Sequence, residues 1–208
     1  MEPQSAAAGR PQHAGRLRGA VPAHPVTPKA YLRTRRRQIL AETAERLLAG
    51  EDPDEQVLPL LYATLAAERL VDASLGFIVT ELGEGMKLGF IKGFPEDVVQ
   101  RCLTLDFGQA ICGTVAATRQ PMHVTDIQRS VDPLADLVRS AGMTAYVCEP
   151  LIVGDRLLGT LSFASRTRRS FEAEDILFFR AIAKHVAVAR DRKASGVRKI
   201  PVRTRVMG

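Results

Sequence analysis

The feature that most restricts this chain is a hairpin. Ala145–Val153 and Arg156–Ser165 are apolar, β-rich runs separated only by Gly154-Asp155. A two-residue loop whose glycine can take positive φ joins antiparallel neighbours. A chain holding this unit builds an antiparallel sheet and must cover at least one face of it. A second strand pair is read upstream, Ala73–Glu81 returning as Met86–Gly93 across the turn at Gly83-Glu84-Gly85. Pro121–Val124 fits an edge strand, where a missing N–H does no harm.

Helices fill the rest. Ile39, Leu40, Thr43, Leu47 and Leu48 recur at helical spacing, which predicts a helix from about Arg35 to Ala49. Asp52-Pro53-Asp54 opens another, to about Leu70, with acids suited to the helix dipole. Shorter helices are expected over Pro95–Cys102, Gly108–Arg119 and Asp132–Ala141. Ser170 is placed to cap a last helix that begins FEAED and is lined by Ile176, Phe179, Ile182, Ala183 and Val186. The class is α+β, with helices packed on an antiparallel sheet. The segment 94–144 crosses that sheet, so a pocket is expected beneath it.

Charge separates the core from its flanks. Residues 1–37 carry eight arginines and lysines against one acid, and 191–208 carry six against one, so the middle of the chain is acidic. The expected organisation is a basic, disordered tail over 1–34, one domain over 35–192, and a second basic tail over 193–208. The T-R-R-R run at 34–37 reads as a solvated helix end. With no base-reading motif, nucleic acid is not the expected partner. No apolar run approaches the roughly 20 residues of a membrane span, and no secretory signal is visible, so the expected compartment is the cytoplasm. Three cysteines fit a reducing compartment rather than a disulfide framework.

Three stretches together resemble a known family: G-x-x-x-C-G from Gly108 to Gly113, R-x-P-x-x-V-x-D at Arg119, Pro121, Val124 and Asp126, and the P-L-x-x-G-D-R-L-L-G-T-L-S-F hairpin. They resemble GAF domains, a PAS-related fold, and are most similar to those beside bacterial sensor histidine kinases. The resemblance covers about residues 38–190. It implies a sensory or regulatory module, a ligand pocket, and dimerisation through the terminal helices, with a signalling protein such as a histidine kinase as partner. It leaves the ligand open, since family members take cyclic nucleotides, bilins, haem, metals or small metabolites, and no cofactor follows from it. Covalent bilin is not expected, because Glu149 rather than histidine follows Cys148. The family's cyclic-nucleotide signature is not legible.

The expected ligand-contacting residues are Phe90, Phe107, Cys112, Val124, Asp126 and Cys148. Asp126 either hydrogen-bonds a ligand or caps the next turn. Cys102 and Cys112 also match in spacing two cysteines of free methionine-(R)-sulfoxide reductases, themselves GAF proteins. That family's further cysteine has no counterpart in Arg129–Thr144. The bland role of the three thiols is that of small buried hydrophobes. No close-spaced ligand pair suggests a metal, and no catalytic residue is expected. Along 145–153, Tyr146, Cys148 and Pro150 face one side while Val147, Glu149 and Leu151 face the other. The pattern leaves open which side faces the pocket.

Overall fold

The structure, a computed structural model, describes residues 27–196. The expected tails lie outside those residues over 1–26 and 197–208. Six strands form one sheet in the order β3-β2-β1-β6-β5-β4, antiparallel at every step. They are β1 Ala73–Val79, β2 Gly85–Lys92, β3 Thr104–Asp106, β4 Met122–Val124, β5 Ala145–Val153 and β6 Arg156–Ser165. The fold is the expected α+β arrangement, with the hairpin where it was read. β3 was not expected; its three residues are too few to show a period, yet they pair with Gly85, Met86 and Lys87.

On one face lie α1 Pro28–Leu48, α2 Leu58–Ala67 and α6 Ala173–Ala194. α1 starts earlier than expected, so residues 28–34, read as tail, are helical. Thr27 Oγ1 accepts from the Ala30 amide at 3.3 Å, and Pro28 takes the first position, where its missing N–H costs nothing. The arginine run is not merely solvated: Arg33 pairs with Glu174, Arg35 with Glu68 at 2.6 Å, and Arg36 with buried Asp175. Before α2 the chain makes a wide π-turn over Pro53–Val57. Pro59 has no N–H to continue an α register there, and the Leu58 amide reaches back to the Pro53 carbonyl instead. The cap of α6 is Glu172, not Ser170: its side chain and that of Asp175 form a reciprocal capping box.

The core on this face includes Ile39, Leu47, Leu61, Val147, Phe163 and Phe179. Phe163 stacks on Phe179 with ring centroids 4.2 Å apart. The apolar stripes of α1 and α6 meet each other within one chain, and α6 packs on β5 and β6. Each large side chain buried here is worth about 1.5–3 kcal/mol.

The opposite face is covered by short pieces: α3 Glu96–Arg101, α4 Ala110–Thr118, two single 3₁₀ turns and α5 Asp136–Ser140. Its core includes Leu75, Phe77, Met86, Ile111, Tyr146 and Cys148. Among the described residues, no helix is long and apolar enough to cross a membrane.

Candidate functional site: a closed cavity and a thiol pair

The pleat settles which side faces the crossing segment. Tyr146 and Cys148 point under α4, while Val147 and Leu151 join the core of the terminal helices. The cavity between sheet and cover is floored by Leu75, Phe77 and Tyr146 and roofed by Phe94, Val98, Leu134, Leu137 and Val138, with Cys102 and Cys112 in its walls. Its volume is about 10 Å³, roughly what one water requires. The walls are apolar and packed. A larger ligand requires the cover to move.

At the rim of that cavity the sheet and α4 bring three polar side chains onto one sulfur. Cys112 Sγ lies 3.2 Å from the Tyr146 hydroxyl, 3.3 Å from Ser162 Oγ and 3.7 Å from Cys148 Sγ. Ser162 is placed there because it is directly opposite Cys148 in the β5–β6 ladder. Thr160 stands two residues from Ser162 on the same face; its hydroxyl is buried and has no hydrogen-bond partner. The Cys148 thiol donates to Cys112 and, against the penalty of burial, helps Ser162 and Tyr146 bring the Cys112 thiol down to about 7. Burial and the neighbouring Cys112 push Cys148 well up. Burial likewise pushes Cys102 up to about 11. Of the three thiols, only Cys112 is pushed down rather than up.

The six expected contact residues do not converge. Cys112 lines the cavity and Cys148 stands behind it. Val124 and Phe107 are partly buried against the same core without forming its walls. Phe90 is on the wrong face. Gly89 forms a β-bulge, so Gly76 pairs with Phe90 but Phe77 with Leu88, and the extra residue reverses the side-chain alternation. Phe90 therefore packs with the terminal helices. Asp126 lies outside the cavity. It adopts left-handed φ of 50°, binds Arg169 Nε at 2.6 Å, and borders a separate open depression with Gln128, Arg129, Thr144 and Arg169.

Sequence reasoning missed the polar contacts on the other face. Glu149 is buried and accepts from Arg180 Nε at 3.2 Å, with His123 Nε2 3.3 Å away. Arg190, near the end of α6, is buried too; it donates to the Phe77 carbonyl at 2.6 Å and pairs with Asp54. Room for it comes from glycines. A Cβ on Gly76 or Gly159 would stand 3.0 or 2.9 Å from the guanidinium, and one on Gly159 only 1.9 Å from the Phe77 oxygen. Glycines inside strands often mark such close approach, and that signal was available. Among the described residues, no cluster of three His, Cys, Asp or Glu side chains could hold a metal.

The described residues thus form an α+β domain, an antiparallel sheet with a roofed cavity on one face and its two terminal helices on the other. The chain belongs to the GAF domain family, whose model matches residues 54–191. No curated protein is similar enough to this chain to match. Solved structures of similar shape include the GAF domain of a phosphoenolpyruvate-protein phosphotransferase from Coxiella burnetii (22% identity over 79% of this chain and 98% of that one, TM-score 0.64). Another is the free methionine-R-sulfoxide reductase from Neisseria meningitidis in complex with its substrate (20% identity, 82% and 95% covered, TM-score 0.65). A third is a putative GAF sensor protein from Burkholderia vietnamiensis (22% identity, 77% and 98% covered, TM-score 0.59). At these identities the likeness is one of fold.

Proposed function

We propose that this chain is a non-enzymatic regulatory module of bacterial signal transduction, with input at the covered cavity and output at the terminal helices. The output partner is a second copy of the chain or a cytoplasmic signalling protein such as a histidine kinase. The observation that supports this is the division of labour along β5: Tyr146 and Cys148 floor the cavity side, and the intervening Val147 and Glu149 hold α6. A shift of the strand is felt by both. Because the cavity holds no more than about one water, a small apolar ligand enters only by displacing the α3–α5 cover, and binding selects that opened state. The experiment is a titration of the full chain with small apolar and metabolite libraries, reading thermal stability and oligomeric state. A binder at 100 times its Kd should add about 2.7 kcal/mol. A module acting purely as a dimerisation scaffold would show no ligand response at all.

A second reading draws on Cys102 and Cys112 sharing the cavity wall. It is a thiol-dependent reductase of free methionine sulfoxide, the activity named for the Neisseria meningitidis neighbour. Turnover of methionine sulfoxide with a dithiol, lost in Cys112→Ser, supports that reading; absence of turnover leaves the regulatory one.

A further inference from the structure

We propose that Cys112 and Cys148 are a redox site: a dithiol that small hydroperoxides convert to an intramolecular disulfide joining α4 to β5. This goes beyond the regulatory reading. Four features carry it. The two sulfurs, on neighbouring elements, are already 3.7 Å apart, against the roughly 2.05 Å of a disulfide. Hydroxyls of Tyr146 and Ser162 converge on Cys112 Sγ and stabilise its thiolate. The cavity touches Cys112, so a hydroperoxide admitted when the cover opens meets that sulfur first, whereas Cys148 is shielded behind it. The Thr160 hydroxyl, buried and unpartnered beside the pair, is a donor held in reserve for an oxygen arriving on sulfur.

The chemistry balances. The Cys112 thiolate attacks one peroxide oxygen; an S–O bond forms, the O–O bond breaks, and the departing alkoxide or hydroxide takes a proton to leave as alcohol or water. Cys112 is then a sulfenic acid. Cys148 attacks that sulfur; the S–S bond forms, the S–O bond breaks, and hydroxide leaves with the Cys148 proton as water. Two thiols lose two electrons in total, and one peroxide gains them. Cys102 takes no part: among the described residues the thiol in contact with Cys112 Sγ is that of Cys148.

The test uses the reduced full-length chain treated with one equivalent of hydrogen peroxide, followed by intact mass measurement and peptide mapping without reductant. The expected product is lighter by two hydrogens, is restored by dithiothreitol, and yields a linked pair of peptides containing Cys112 and Cys148. Cys102→Ser should behave as wild type. Cys148→Ser should stop at a sulfenic acid on Cys112 that dimedone traps. The rate should rise as pH climbs through about 7. A wild-type chain that only gains oxygen, or links Cys102 instead, overturns the proposal. Because the mapping is done on unmutated protein, misfolding of a variant cannot rescue it.

Discussion

The two faces of the sheet are built from different materials. On the terminal-helix face, long helices are tied to strands and to one another by buried charge: Arg190 with Asp54, Arg36 and Arg168 with Asp175, Arg180 with Glu149. On the cavity face, helices of five to nine residues sit on an apolar core whose buried polar contacts are those of one thiol cluster. A buried ion pair fixes geometry because separating it leaves a charge without solvent or partner. Short helices over an apolar floor have no such penalty to opening, since much of their backbone is already at chain ends. On the regulatory function proposed above, the cover is the part that moves and the helix layer the part that transmits.

The largest expected effect tests the stiff face. Arg190→Ala leaves the Asp54 carboxylate and the Phe77 carbonyl without their partner and should cost about 3–5 kcal/mol in urea unfolding; a loss below about 1 kcal/mol would show that Arg190 does not hold α6 to the π-turn and β1. Glu149→Gln keeps the shape but removes the charge facing Arg180 and His123, and about 2 kcal/mol should be lost in the same measurement. On the cavity face Tyr146→Phe should cost only about 1 kcal/mol, yet it should also move the alkylation of Cys112 to higher pH, because one donor to its thiolate is gone.

The smallest effect concerns Asp72, at the mouth of β1. Burial alone would raise its carboxyl, but bonds from Ser165 Oγ and the Arg166 and Thr167 amides hold it below the ordinary 3.8. A depressed folded pKa stabilises above the unfolded value and is lost as pH falls through the folded one. Stability should therefore decline below about pH 4, and Asp72→Asn should flatten that decline in acid titrations followed by circular dichroism.

Much of the architecture was legible because it is periodic. The Gly154-Asp155 hairpin and the amphipathic terminal helices announce themselves within a dozen residues. The errors arose where one residue alters a period or where partners are far apart in sequence. Gly89 looks like any glycine in a strand, yet its bulge moves Phe90 to the other face. Pro59 turns an expected helix start into a π-turn. Asp54 and Arg190 stand at opposite ends of the domain's sequence, and only the strand glycines Gly76 and Gly159, beside the guanidinium, and Gly89, beside Asp54, hint at the contact. In the site, Cys112 and Cys148 were legible as candidates. That they face one another depends on the β5 pleat, and the apolar residues on both of its sides hid which way it turned.

Native-state hydrogen exchange, resolved by residue, tests the central claim most directly. Amides of α3 and α5 should exchange through openings several kcal/mol below global unfolding, while those of α6, β5 and β6 exchange only with it. Equal protection across the two faces, or an α6 that opens first, would contradict a mobile cover working against a fixed helix layer.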